Sequence, residues 1–434
     1  MNDDFEIEFE WLARDYGDAV ERAAYADLGI RVGGRTATHV EDIAARTVRD
    51  VIRVSAYPLA LWFASNWWRL RWESESSGID WRMSHQLGSA GGGYAWPDLT
   101  FSGDGETIQV SCHPTEAPRI EPVRYLAQFD VTVPAASFEL GVDRFLDAVV
   151  ERLESSRLAE NALAGLWQVL REERLNPEVS AWRRLEARLG FDPDEAPADL
   201  VDALQARIGD IGGRAVEEVA AASGERAMEY LDELEQEARP RAVKIRVPES
   251  DALRTEGALL SRPGEPTWSI AGQAARRVRD CWSLGSEPLS NQQLADLFSM
   301  PEAMLAGESA GTAVTMSAGF RGEPGGESVE VVLGKPRSAS RRFALARLVA
   351  DHLYRSPGDR LLPVTDAKTA RQKFQRAFAQ EFLCPFSALS DFLGTAEPTD
   401  DRIEEAADLF DVSPLLVKTT LVNRGVLGRE VLSG

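Results

Sequence analysis

Residues 266–434 restrict the fold strongly, because strand-like and helical segments follow one another there in a defined order. Apolar residues recur at helical spacing in four segments and a terminal hairpin. The predicted helices are Ile270–Cys281, Asn291–Phe298 (capped by Ser290), Ala339–Tyr354 and Ala367–Phe382, with the hairpin over Asp401–Asn423. The predicted strands are Val314–Met316 and Val329–Leu333. This order predicts a mixed domain in which helices outnumber strands.

The full chain of 434 residues is long enough for about three domains. We expect a multidomain α+β protein that is predominantly helical. Its predicted regions are 1–135, a Trp-rich mixed α/β domain; 136–250, an acidic helical domain with a connector; and 251–434, the domain described above. Within the first region, we predict helices at Thr38–Arg53 and Leu59–Glu73 and strands at Leu99–Phe101, Thr107–Ser111 and Phe129–Val133.

The net charge of −22 is unevenly distributed. The stretch Lys335–Arg376 holds eleven basic and three acidic residues, whereas Asp192–Glu237 holds fourteen acidic and three basic ones. A chain this acidic repels polyanions unless a basic surface is segregated. The basic stretch is therefore either a receiving surface for an acidic peptide, a phosphate-rich ligand or nucleic acid, or it docks on the acidic helices. We favour docking.

Cysteine usage and the N-terminus predict a cytoplasmic protein. The three Cys residues lie far apart and form no CxxC pair. The N-terminus is acidic and lacks the features of a signal peptide, and the most apolar run, Val54–Trp68, is too short and interrupted to cross a bilayer. We therefore expect no membrane association.

The third region resembles the ImmA/IrrE family of zinc metallopeptidase-like proteins over about 165 residues. Four pieces carry this resemblance in order: the strand Val329–Leu333, the helix opening Arg341–Ala346, the segment Phe378–Pro385, and a terminal hairpin represented by Ile403–Ser413 and Leu421–Gly425. The segment Phe-Ala-Gln-Glu-Phe-Leu-Cys-Pro matches the family's Phe-Ala-x-Glu-Leu-Leu-x-Pro. The resemblance implies a zincin-like fold.

This sequence departs from the family at its zinc-binding motif, HExxH. In the family, two His residues one helical turn apart bind zinc, and the Glu serves as general base. The first His, the Glu and the second His fall on Arg347, Leu348 and Asp351 here, and the third ligand, a Glu, falls on Gln372. Shifting the frame by one residue brings His352 to the second His position but leaves Leu348 at the first. We therefore expect no zinc, no other cofactor and no peptidase activity, with Arg347 and Asp351 forming an ion pair instead.

The resemblance implies a binding or regulatory protein whose partner is another protein or a peptide. Active relatives cleave or bind regulators in stress responses and in phage or mobile-element control. The candidate ligand or partner contacts are Arg341, Arg342, Arg371 and Arg376. The terminal hairpin resembles a helix-turn-helix, but its second helix carries only Lys418 and Arg424, so we interpret it as structural packing.

Two alternatives stay open: an enzyme with its active site in the N-terminal region, and a nucleic-acid-binding regulator that uses the basic stretch. Asp98, Glu106 and Gln109 faintly resemble a PD-(D/E)xK nuclease motif that lacks its Lys. Cys112 and His113 are predicted to face opposite sides of a strand, which excludes them as a nucleophile–base pair. Six Trp residues between positions 62 and 96 are interpreted as core rather than as a base-stacking surface.

Overall fold

The computed structural model describes residues 4–43, 45–116, 123–248, 253, 265–306, 316–322, 328–354, 358–394 and 397–432. The chain divides into two compact units, Met1–Val201 and Asp202–Gly434, where the sequence predicted three regions. The helices between residues 135 and 189 belong to the first unit because their apolar faces join its core. Phe138 and Phe145, for example, pack in the same cluster as Phe5. The described elements are those of an α+β protein in which helices predominate.

Unit 1 contains three small antiparallel sheets. Its strands are β1 (Phe5–Trp11), β2 (Tyr25–Val32), β3 (Arg35–Thr36), β4 (Val40–Asp42), β5 (Thr47–Arg49), β6 (Ile52–Ser55), β7 (Asp98–Gly103), β8 (Thr107–His113), β9 (Val123–Tyr125) and β10 (Phe129–Pro134). The sheets are β1-β2-β3 with β6 beside β2, β10-β8-β7, and β5-β4-β9. The three strands predicted between residues 99 and 133 are confirmed as β7, β8 and β10.

Seven helices begin in the described part of unit 1. They are α1 (Ala19–Ala23), α2 (Ala56–Trp72), α3 (Ile79–His85), α4 (Ala135–Ser155), α5 (Ala162–Leu175), α6 (Pro177–Leu189) and α7 (Ala198–Ile211). The predicted helix Leu59–Glu73 is confirmed as α2, but the predicted helix Thr38–Arg53 is wrong, since that segment forms β4, β5 and the start of β6. Its apolar residues are mainly β-branched, and such side chains pack well on a pleated surface.

An aromatic cluster forms the centre of the unit 1 core. The rings of Phe63 and Phe101 lie 5.8 Å apart edge to face, and each also contacts Phe5 and Phe138. All four residues are at most 1% exposed. Helix α4 crosses β1 closely at Gly141, where a Cβ atom would lie 2.4 Å from the carbonyl oxygen of Phe5. The absence of a side chain at Gly141 therefore sets how closely α4 approaches β1.

Unit 2 is built around one antiparallel sheet in the order β11-β13-β12-β14. Its strands are β11 (Val243–Arg246), β12 (Ser317–Arg321), β13 (Ser328–Val332) and β14 (Leu361–Val364). Its helices after α7 are α8 (Gly213–Ser223), α9 (Ala227–Glu233), α10 (Thr267–Cys281), α11 (Asn291–Phe298), α12 (Ala303–Ala306), α13 (Ser338–Tyr354), α14 (Ala370–Leu383), α15 (Phe386–Leu393), α16 (Asp400–Phe410) and α17 (Pro414–Asn423). The predicted helices and hairpin after residue 266 are confirmed, as is the strand near 329–333. The predicted strand Val314–Met316 lies outside the described residues, except for Met316.

Helix α13 lies in the interior of unit 2, with eleven of its residues buried. It packs against α14 and contacts β14 and β12, while α10 packs on α14. Helix α8, from the acidic stretch, contacts β14 at the edge of the sheet. The terminal hairpin packs on the same core through Leu416 and Leu421 of α17. Lys418 of that helix is ion-paired with Asp400 at 2.8 Å, which fits the interpretation of the hairpin as structural packing.

Candidate functional site

Helices α13 and α14 carry the positions where the resemblance expects metal ligands. Helix α14 begins at Ala370 because Thr369 caps it, accepting a hydrogen bond from the backbone N–H of Gln372 at 3.2 Å. Arg347 and Asp351 lie one turn apart on α13 and so share a face of that helix. The cap places Gln372 in the first turn of α14.

Arg347 and Gln372 meet in the interior of unit 2. The Arg347 Nη2 donates to Oε1 of Gln372 at 2.5 Å and to the carbonyl of Thr365 at 2.6 Å. The same Oε1 accepts from the backbone N–H of Thr365 at 3.1 Å, and Nε2 of Gln372 donates to the carbonyl of Pro363 at 3.0 Å. The Gln372 amide therefore fixes Arg347 against β14 and the residue that follows it.

Arg347 is a buried cation. Burial, followed by the positive charge of Arg376, lowers the pKa of Arg347 to about 9, against the opposing effect of nearby carboxylates. Its Nε has no hydrogen-bond partner among the described residues. At neutral pH the guanidinium remains protonated, and in that state it offers no lone pair. Arg347 therefore cannot serve as a metal ligand.

Asp351 pairs with Arg371, not with Arg347 as the sequence analysis expected. Nε and Nη2 of Arg371 donate to the two carboxylate oxygens of Asp351 at 2.8 and 2.6 Å, and Nη1 donates to Asp359 at 2.7 Å. Burial opposes the charge of Arg371, but Asp351 and its other acidic neighbours raise its pKa above the ordinary value. The physical reason for the difference is geometric: Arg371 extends from the facing helix and reaches Asp351 in the bidentate arrangement that binds a carboxylate most strongly.

In the shifted frame, Leu348 and His352 occupy the two His positions, and both side chains contact the strand β12. Leu348 is 1% exposed and packs towards the sheet, close enough that a Cβ on Gly319 would lie 3.3 Å from its Cδ2. Nδ1 of His352 accepts a hydrogen bond from Nε of Arg321 at 3.2 Å. Arg347 and Asp351, by contrast, contact Gln372 and Arg371 of α14.

The residues at these positions do not fit zinc. A guanidinium, an aliphatic side chain, an ion-paired carboxylate and an amide stand where the resemblance expects two imidazoles, a free carboxylate base and a third ligand. No group of three or more His, Cys, Asp or Glu side chains in the described ranges is arranged to hold a metal ion. Without a metal and a base, these residues cannot activate a water molecule for peptide hydrolysis.

Helix α8 brings an acidic side chain to this cluster. The carboxylate of Glu218 accepts a hydrogen bond from the hydroxyl of Thr369 at 2.7 Å, and Glu218 is 6% exposed. Its negative charge acts to raise the pKa values of Arg347, Arg371 and Arg376. Here part of the acidic stretch docks on the basic stretch, the arrangement that the charge distribution favoured. The sequence did not reveal which carboxylate would make the contact.

Most of the arginines predicted as partner contacts are buried in unit 2, where they already make hydrogen bonds or ion pairs. Arg341 and Arg342 are 7% and 0% exposed. Arg341 donates to two backbone carbonyls, and Arg342 donates to two others and lies 3.4 Å from Asp411. Arg371 is bound by two aspartates, as described above. Arg376 is half-buried and donates to the carbonyl of Ala367 at 2.9 Å.

The N-terminal nuclease candidates do not converge. Strands β7 and β8 pair so that Asp98 lies opposite His113, whereas Glu106 lies in the turn at the other end of this hairpin. The two ends of β7 are five residue steps apart, about 17 Å at the usual rise per residue. Gln109 pairs with Ser102 between them. Two carboxylates this far apart cannot share a metal ion.

The other N-terminal candidates behave as the sequence analysis predicted. Cys112 is buried and His113 is exposed, on opposite faces of β8. Five of the six Trp residues between positions 62 and 96 are at most 8% exposed and Trp72 is partly buried, which confirms that they form core.

No helix in the described part of the chain is long and apolar enough to cross a membrane. Comparison of the chain with protein-family models, with curated proteins and with solved structures finds no significant match.

Proposed function

We propose that unit 2 is a zincin-like domain of the ImmA/IrrE type that has lost its zinc site and serves as a binding or regulatory module. The observation that carries this proposal is the 2.5 Å hydrogen bond between Arg347 and Gln372, which are 25 residues apart in sequence. The resemblance assigns both positions to ligands of one metal ion, and such ligands must converge. Their side chains do converge, although neither is a zinc ligand.

The replaced residues have a structural role in this proposal. The network of Arg347, Gln372, Asp351 and Arg371 joins α13 to α14 where a metal ion would have joined them. A domain held in this way keeps its fold without a bound metal ion and without catalytic activity. Its partner, by the resemblance, is a protein or a peptide in a stress response or in phage or mobile-element control.

The direct test is the metal content of the purified full chain. We expect no stoichiometric zinc by mass spectrometry of the dissolved protein after exposure to zinc and gel filtration, and no cleavage of unstructured protein substrates. A tightly held zinc ion that is lost when Asp351 and Gln372 are replaced by alanine would refute the proposal.

A restored site tests the alignment itself. The combined variant R347H, L348E, D351H and Q372E recreates the family motif, and we expect it to bind one zinc ion per chain. The matched control is L348H, V349E and Q372E, which with His352 recreates the motif one residue later. Because Leu348 packs towards the sheet, the control should bind none. Zinc binding by the control alone would show that the frame is wrong.

A further inference from the structure

Unit 2 contains a second polar feature, a cleft of about 340 Å³ at the end of β12 and the start of β14. Helix α7, helix α9 and the π-helical turn Leu234–Ala238 complete its walls. Its charged lining residues are Arg207, Asp210, Glu235, Arg239, Arg321 and Arg360. Its volume lies in the range of about 300–1,000 Å³ that small-molecule sites occupy.

The cleft is positively charged within a strongly acidic chain. Glu235 is ion-paired with Arg207, which leaves Asp210 as the remaining carboxylate of the lining. Neither Arg239 nor Arg360 has an ion-pairing carboxylate among the described residues, and both are exposed. Nε of Arg207 is buried and has no hydrogen-bond partner among those residues. Donors for an anion are therefore present on three side chains.

The position of Arg360 is fixed by the backbone on both sides. Its N–H donates to the carbonyl of Ile211 at 2.9 Å, and its carbonyl accepts from the N–H of Arg321 at 2.8 Å. Arg239 lies over the ring of Phe320, 5.5 Å from its centroid. These contacts fix the backbone of Arg360 and hold the guanidinium of Arg239 beside the cleft, which lowers part of the entropic cost of binding an anion.

Apart from Gly322, the rest of the lining is apolar, and each of these apolar residues is at most 8% exposed. Ile211, Leu231, Leu234, Phe320 and Leu361 contribute to it. A cleft that combines guanidinium donors with an apolar wall suits a ligand with one anionic end and one apolar or flat end. It is larger than a single phosphate ion requires, and two arginines without carboxylate partners are few for a nucleic-acid track.

We propose that this cleft binds a small organic phosphate, with the phosphate between Arg239 and Arg360 and the remainder against the apolar wall. Arginine is suited to this task because its planar fork donates two parallel hydrogen bonds to phosphate oxygens. The inference goes beyond the proposed function, because it concerns a different surface and does not require the zinc site to be lost.

Calorimetric titration of the full chain tests the proposal. The probes are the four ribonucleoside monophosphates and ribose 5-phosphate, compared with adenosine, inorganic phosphate and a ten-nucleotide single-stranded DNA. We expect at least one organic phosphate to bind at least tenfold more tightly than adenosine and inorganic phosphate. No organic phosphate binding below about 1 mM, or equal binding of adenosine, would overturn it, as would tighter binding of the oligonucleotide.

Variants locate the site. R239Q and R360Q should each weaken binding about tenfold, the effect of 1.4 kcal/mol and of one charge-assisted hydrogen bond. R337Q removes the same charge from an exposed arginine outside the cleft and should bind as the parent does. Equal loss in R337Q, or no loss in R239Q and R360Q, would overturn the assignment. Metal content reads out the proposed function separately, so the two ideas can fail independently.

Discussion

At the scale of single residues, the charges of unit 2 are buried in a way that makes each depend on another. Arg371 is 6% exposed and lies between Asp351 and Asp359, which are 0% and 4% exposed. Removing one member of a buried ion pair leaves an uncompensated buried charge. The free energy of unfolding then falls by much more than the intact pair adds to it when compared with apolar residues in the same place. The cluster is thus sensitive to single changes.

We predict that D351N lowers the free energy of unfolding by roughly 3–5 kcal/mol, the usual cost of breaking a buried ion pair. The matched control is E405Q, which breaks the exposed pair between Arg402 and Glu405 and should cost at most about 1 kcal/mol. Urea denaturation followed by circular dichroism measures both. Similar small losses in the two variants would contradict the burial argument.

His85 gives unit 1 a pH dependence. It is fully buried, its Nδ1 lies 2.8 Å from the carbonyl of Trp81, and its Nε2 has no partner among the described residues. Burial first, and then the positive charge of Arg69, lower the pKa of His85 to about 4. In the unfolded chain the ordinary pKa is 6.5, so the unfolded state binds more protons between these values.

Stability from His85 is therefore present above pH 6.5 and lost as the pH falls towards 4. The change in the pKa of His85 between the unfolded and folded states corresponds to about 3 kcal/mol of folding free energy. We predict that H85Q unfolds with a flatter pH dependence than the parent over this window, measured by denaturation with tryptophan fluorescence. Glu73, whose carboxylate lies 3.7 Å from Nδ1 and whose pKa is raised by burial, is present in both proteins, so the prediction concerns the difference between their two curves. Parallel curves would contradict the prediction.

The sequence predicted that Arg347 and Asp351 share one face of a helix, but not which side chains they contact. Arg347 and Asp351 are four residues apart, and this spacing alone places them on one face of a helix. The partner of Asp351 comes from another helix 20 residues away, and its choice depends on how α13 and α14 pack. Local pattern carries no information on that packing, so the expected ion pair was wrong.

At the scale of elements, two glycines in neighbouring helices of unit 1 have opposite roles. A Cβ at Gly141 of α4 would meet the backbone of Phe5 at 2.4 Å, whereas a Cβ at Gly165 of α5 would meet nothing within 4 Å. We predict that G141A destabilises unit 1 by at least about 2 kcal/mol, since backbone must move, and that G165A stabilises it by about 0.5–1 kcal/mol.

Both substitutions replace glycine by alanine within a helix. Helix propensity alone therefore predicts a higher free energy of unfolding for each. Denaturant midpoints at constant slope measure the difference. A gain in both would show that α4 shifts away from β1 at little cost.

Elements with a strong local signal were predicted well, and those with a mixed signal were not. Helix α11 was predicted from its periodicity and its Ser290 cap. Helix α14 was predicted from periodicity alone, and its Thr369 cap places its start three residues after the predicted one. Strand β1 was missed, although Phe5-Glu-Ile-Glu-Phe alternates apolar and acidic residues, which is the signal of a half-buried strand. Its partner β2 was missed as well, since pairing between them is a tertiary feature.

At the scale of the whole molecule, the division of the chain lies near residue 201, not at 135 and 250. Strand β11 pairs with β13, and α8 contacts β14, so residues before 251 complete both edges of the sheet in unit 2. We predict that a fragment of residues 197–434, which keeps α7 intact, unfolds cooperatively, whereas residues 251–434 alone do not. Gel filtration and near-ultraviolet circular dichroism measure this. A cooperative transition in the shorter fragment would contradict it.

The interlocked charges around Arg371 also restrict how this protein could change over generations. A single D351H substitution would take from Arg371 its bidentate carboxylate, and R347H would remove the guanidinium that donates to the oxygens of Gln372 and Thr365. Each single step towards a metal site at these positions therefore passes through a weakened protein before any metal can compensate. Building a zinc site here therefore requires several coordinated mutations, whereas changes among exposed residues remain unhindered.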